Sequence, residues 1–228
     1  MLYSFHLAEI PLKVGLNALL RPPTAPRLRH AEMLAFMLLG SPIISTRRLQ
    51  LGKVAMFAEW EDEGALESFL AEHALGVRLA TGWHVRMQFL RRYGSIAALS
   101  HLPVKAADWD VREPVVAVTI ARMKLFQVPR FLRWGRPVER LVRDHPGQVF
   151  SMAAQRPPRT ISTFSIWKSI TDMTDMVHGR QEVPHTTVHR LAMAEQRRKD
   201  FHHESTFMRF RPLSEHGTWQ GRPRLLPQ

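Results

Sequence analysis

The chain has 228 residues, an ordinary 45% hydrophobic and 23% charged share, and no cysteine. The missing thiols exclude a disulfide framework, a thiolate-held haem, an iron–sulfur cluster and cysteine catalysis. Lys and Arg exceed Asp and Glu by 12, which suits an anionic partner such as nucleic acid, a lipid surface or an acidic protein, although dispersed arginines also follow from codon usage alone.

The N-terminus "MLYSFHLAEIPLKVG" lacks the basic start of a signal peptide. The longest apolar run, "MLAFMLLG" at 33–40, falls short of the ~20 residues that span a membrane. A cytoplasmic location is the expectation. "LYSFHLAEI" predicts a strand, followed by helical material up to residue 39 and a strand near 42–46. "KVAMFAEW" then predicts a strand, 62–72 a helix, and "HVRMQFLRRY" another strand.

"VVAVTIA" at 115–121 is β-branched and apolar, as a buried strand requires. Val128, Phe131, Leu132, Val138 and Leu141 recur at helical spacing, with a kink expected around Gly135–Pro137. "DHPG" ends that helix. "QVFSMAA" and "TISTFSIW" form a strand pair around "QRPPR", and "SITDMTDMV" a short helix. A further helix is predicted over 184–199, with Pro184 in its first turn, and "ESTFMRF" closes as a strand.

Shifting the sequence against itself by 107 positions aligns Pro22 with Pro129, Arg29 with Arg136, Glu32 with Glu139, Leu34 with Leu141, Phe57 with Phe164 and Trp60 with Trp167. This reads as a duplicated supersecondary unit of the order β-α-β-β-α-β. The expected fold is α+β: two tandem ferredoxin-like repeats, over 1–100 and 114–215, packed as a dimeric α+β barrel-type architecture. Residues 101–113 would link them, and the Gly/Pro-rich tail at 216–228 would lie on the surface.

No GxSxG, HExxH, Walker or GxGxxG motif is present. His185 and His189 stand at i and i+4, a spacing able to chelate zinc from one helix face, but further ligands are missing and no glutamate follows His185. Two polar residues on a basic helix is the plainer reading. His189 shares its side with Val188, Ala192 and Met193, and small neighbours would leave room for a flat group. Arg209 alternates with Phe207, and Arg91 and Phe89 are their counterparts in the first half. A repeated tryptophan, Trp60 and Trp167, reports packing.

The second half, from "VTIARMKLFQVPRFLRW" through "TFSIWKS" to "FHHESTFMRFRPLSEHGTWQG", resembles the spheroidene monooxygenase family, oxygenases of bacterial carotenoid synthesis. That family usually carries Trp-Tyr or Trp-Phe ahead of its last strand, where this chain has Phe201 and His202. The resemblance implies a haem-dependent monooxygenase oxidising a methylene of an apolar, carotenoid-like substrate. It implies His189 as axial ligand of the haem iron, with His185 as the fallback, and Arg209 and Phe207 as cofactor contacts. An external electron donor is required because no flavin or nicotinamide motif is visible. A ferredoxin-type reductant would suit the basic surface, as would peripheral contact with anionic lipid. Two alternatives stay open: a haem enzyme of the same fold with other chemistry, such as aldoxime dehydration, and a non-enzymatic nucleic-acid-binding ferredoxin-like protein. The second lacks the RGFGFVxF-type aromatic pattern.

Overall fold

Large side chains alternate with others along most strands, and that alternation decides which face of the sheet turns inward. The computed structural model describes residues 1–37, 49–178 and 187–227, without side-chain placement for 136, 140, 141, 178 and 187–190. The first half runs β1 (Leu2–Glu9), α1 (Leu12–Leu20), β2 (Leu28–Met37), β3 (Leu49–Trp60), α2 (Glu63–Glu72), α3 (Ala74–Ala80) and β4 (Trp83–Ser95). The second runs β5 (Val115–Met123), α4 (Val128–Asp144), β6 (Gln148–Arg156), β7 (Thr160–Trp167), α5 (Ile170–His178), α6 (Thr187–Arg198) and β8 (His202–Gly217).

The described strands close into a barrel in the order β1-β3-β2-β6-β7-β5-β8-β4. Within that order, β4-β1-β3-β2 and β6-β7-β5-β8 are each the strand order of a ferredoxin-like sheet. The two sheets meet along the antiparallel β2–β6 and β4–β8 seams. The α+β expectation and the β-α-β-β-α-β order therefore hold.

Inside the barrel, Phe5 of β1 stacks on Phe164 of β7 at 4.0 Å, and Tyr3, Phe57, Phe89 and Phe210 pack around one another. One end holds a buried charge cluster. Glu32 takes hydrogen bonds from Arg122 and Arg156, which belong to the other half. Outside the first sheet, Met33, Val54, Met56, Ala58 and Trp60 are wholly buried beneath Leu66, Phe69, Leu75 and Leu79 of α2 and α3. Asp62 caps α2 by accepting from the Ala65 N–H at 2.9 Å. Trp60 and Trp167 are both core residues, as expected.

Several expectations are corrected. Helical material stops at Leu20, and residues 28–37 form strand β2. The shift by 107 therefore aligns β2 with helix α4 over 29–34, so Arg29, Glu32 and Leu34 are not the structural equivalents of Arg136, Glu139 and Leu141. Only from β3 and β7 onward do Phe57 with Phe164 and Trp60 with Trp167 occupy matching places. The strand expected at 42–46 lies outside the described residues, as does Pro184. Helix α4 continues past Gly135 and holds Pro137 inside it, where the kink is expected.

The tail is not peripheral either. It shares the barrel core with Ile96, Leu99 and the linker residue Leu102. Trp219 and Leu225, expected on the surface, are buried in the same core, and Trp219 packs on Phe36. Glu215 ties the tail down by accepting from Trp83 Nε1 (2.9 Å) and the Leu225 N–H (2.8 Å). The chain turns at Gly217, whose φ is +77° and whose missing Cβ would meet the Gly82 carbonyl oxygen at 1.9 Å.

Candidate functional site

The outer face of the C-terminal sheet is built differently from that of the first. Inward residues of β5, β7 and β8 are large: Val116, Val118, Ile120, Phe164, Ile166, Met208 and Phe210. Their outward neighbours are small. Two rows cross the sheet from β4 to β6 in the observed register. One reads Arg91, Arg209, Ala117, Ser165, Ser151, and the next Tyr93, Phe207, Thr119, Thr163, Ala153. Thr163 is exposed although it lies mid-sheet, and Thr119 and Ser151 are only half-buried. Its counterpart at the matching place in β3, Met56, is wholly buried. The same fold position thus carries a packed thioether in one half and an open floor in the other.

Helices frame this floor. Met173 and Met176 of α5 are buried with Val115, Ala117 and Trp167 and cover the β5 start. Helices α4 and α6 are tied by Arg130, whose Nε donates to Glu195 Oε1 at 2.7 Å. Beyond them, Phe131 meets Phe201 edge-on at 5.7 Å, and the Arg130 guanidinium lies 4.3 Å above the Phe201 ring. His202 sits beside this cluster with its Nδ1 buried and unpartnered, and burial pushes the imidazole pKa down.

At the rim, Arg91 and Arg209 face outward side by side. A one-residue slip in the β4–β8 register between Phe89 and Arg91 puts Arg91 on this face, opposite Arg209. Both Nε atoms are buried without a hydrogen-bond partner, as is Ser151 Oγ. Neither arginine forms a salt bridge among the described residues. Tyr93 offers both a ring face, 4.5 Å from the Arg91 guanidinium and 5.4 Å from that of Arg209. Burial pulls the Arg209 pKa below its ordinary value; Tyr93 opposes this and the Arg91 charge adds to it. Two cations held together without a counter-charge repel each other, and a nearby anion would relieve that repulsion.

The residues singled out from sequence fall unevenly. Arg209 and Phe207 both reach this face, with Phe207 half-buried. Position 189 lies in the first turn of α6, three and seven residues ahead of half-buried Ala192 and Gln196, and its side chain is outside the described set. Met193, expected on that inward side, is instead 41% exposed. His185 lies outside the described residues. Sequence reasoning missed Tyr93, Thr119, Ser151 and Thr163. Their signal was present in "VVAVTIA", "SMAA" and "TISTF" as a period-two run of Ala, Ser and Thr interleaved with large residues.

No family model matches the chain. An aldoxime dehydratase solved with butyraldoxime has a TM-score of 0.51 at 8% identity, covering 93% of this chain and 79% of that one, which shows a shared fold. At the level of sequence, the spheroidene monooxygenase of Rubrivivax gelatinosus is 28% identical over 181 residues, covering 73% of this chain and 63% of that protein. The spheroidene monooxygenase of Rhodobacter capsulatus is 30% identical over 124 residues, covering 53% and 48%. The chain thus spans less than two thirds of the length of either curated relative. Both are similar to this chain in sequence, in line with the resemblance read from its motifs.

Proposed function

We propose that the chain is a haem-dependent monooxygenase that oxidises a methylene of an apolar, carotenoid-like substrate. The observation that carries this reading is the unpaired Arg91–Arg209 couple beside the small outward side chains of β5–β7. The residues present fit a haem. The outward side chains of Thr119, Thr163 and Ala153 have the low bulk that a macrocycle face needs. Arg91 and Arg209 would take its propionates as charge-assisted, bidentate partners. His189 would be the axial ligand, binding through one ring nitrogen of the neutral imidazole, the form in which the other can donate to a carbonyl or carboxylate.

When bound, haem would supply oxygen activation. The chain's own contributions would be the ligand, the placement of substrate and a dry surrounding. Two successive oxygenations of one carbon would give a geminal diol that loses water to a ketone. Each turnover needs two electrons from outside, and the basic surface suits an acidic ferredoxin-type donor.

The test is spectroscopic first. Purified protein from haem-supplemented cells should show a Soret band, and His189→Ala should alter it. A carotenoid, oxygen and a reducing system should then yield an alcohol heavier by one oxygen and, after the second turnover, a ketone heavier by one oxygen less two hydrogens. An unaltered spectrum in the variant would move the ligand to His185, and no Soret band in the wild type would end the reading. Conversion of an aldoxime to a nitrile would instead favour the chemistry of the aldoxime dehydratase.

A further inference from the structure

We propose that the surface formed by Leu125, Phe126, the first turns of α4 and residues 191–199 docks on an anionic lipid surface. Phe126 is 98% exposed, and Leu125, beside it, is 44% exposed. They form a short helical turn, residues 125–127, that projects just ahead of α4. Leu191 is 52% exposed and lies on the α6 stripe that also carries Glu195 and Arg198. Single exposed apolar residues are common and need no explanation, but adjacent ones that include a fully solvated phenylalanine do.

The charge around them is one-sided. Residues 124–133 and 191–199 carry six cations against one carboxylate, Glu195. That carboxylate is already neutralised by Arg130 and Arg198. Arg133 and Arg197 are exposed and form no salt bridge among the described residues. An open cleft of about 540 Å³ runs between the two helices, lined by Pro129, Arg130, Arg133, Trp134, Glu195 and Arg198. Protruding apolar tips surrounded by Lys and Arg suit the interfacial region of a bilayer, where the tips enter the acyl boundary and the cations remain with the headgroup phosphates. Phosphate alone, as on a nucleic acid, would account for the cations and leave Leu125 and Leu191 unburied. This docking does not depend on haem. Its value for extracting a carotenoid-like substrate from a membrane rests on the function proposed above.

The experiment is vesicle flotation of the purified full chain, with phosphatidylcholine alone and with phosphatidylcholine mixed with phosphatidylglycerol. The wild type should float only with the mixed vesicles and should lose binding as salt is added. Phe126→Ser should weaken that binding about tenfold, since it removes one buried aromatic side chain. Arg133→Glu should weaken it roughly tenfold through the reversed charge. Both positions are exposed, so an unchanged melting temperature separates lost docking from lost folding. Absence of flotation overturns the proposal. Flotation untouched by both substitutions overturns the surface named, and a dimer that Phe126→Ser dissociates assigns that surface to a second copy instead. Soret spectra of the same samples keep the two readings apart: flotation without a Soret band sinks the cofactor and leaves the docking, and the reverse sinks the docking.

Discussion

Arg91 and Arg209 stand directly opposite each other across the β4–β8 seam, both facing out of the barrel, with both Nε atoms buried and unpartnered. A like-charge pair at a sheet position costs stability unless something negative sits beside it. Arg209→Ala or Arg91→Ala should therefore leave the melting temperature unchanged or slightly raised. Each should weaken haem binding by about tenfold, the worth of one charge-assisted contact. Titration of the apoprotein with haem, followed by absorbance, checks both halves of this expectation.

His189→Ala should remove the axial-ligand signature from the haem spectrum, and added imidazole should restore it by occupying the space left behind. His185→Ala should leave the spectrum as it is. An imidazole-independent wild-type spectrum in His189→Ala would contradict the assignment.

Acid should destabilise the fold over two successive, partly overlapping pH ranges. Burial lowers the pKa of His6 far below 6.5 and that of His84 to about 4, with the His216 and Arg86 charges adding to the latter. Both are neutral in the fold, and the unfolded chain binds more protons between pH 6.5 and about 4, so stability falls as pH drops through that range. Glu32 defines the second range. Burial alone would raise its carboxyl, but His30, Arg122 and Arg156 outweigh it and hold it at about 2 against 4.5 unfolded. Its contribution, about 3 kcal/mol, is present above pH 4.5 and lost as pH falls toward 2. Urea midpoints measured across pH should fall over both ranges, and His84→Asn should flatten only the upper one. Glu32→Gln should cost about 3–5 kcal/mol at neutral pH, because Arg122 and Arg156 lose their shared carboxylate.

Trp219→Ala should destabilise the barrel by about 3–5 kcal/mol, the range for removing a fully buried large aromatic. A truly peripheral tail would tolerate the change. The urea midpoint of that single variant discriminates between them.

Legibility in the sequence tracked periodicity. Strands β5, β6 and β7 and helix α5 were readable because their apolar residues keep one period and their ends carry Gly, Pro or His signals. Strand β2, "LRHAEMLAFM", was misread as helix because its last six residues are buried on both faces. It therefore shows no alternation, and Ala, Leu and Met are strong helix formers. Matching Pro22 to Pro129 reinforced the error. The tail was misread because Gly and Pro around Trp219 and Leu225 resemble a loop, and only closure of the barrel gives those two side chains a place to go. Arg209 could be singled out by its alternation with Phe207. Its partnership with Arg91 depends on a strand slip and on a seam between distant segments, and neither leaves a local mark.

The parity of the C-terminal strands has one more consequence. On β5, positions 116, 118 and 120 pack inside the barrel, whereas the odd-numbered 117 and 119 face outward, Ala117 beneath α5 and Thr119 half-buried. Ligand preference can therefore drift through odd-numbered codons while the even-numbered ones stay under selection for folding alone. A barrel of this kind separates its mutable inventory from its scaffold residue by residue, which is one physical route by which a single topology comes to host unrelated reactions.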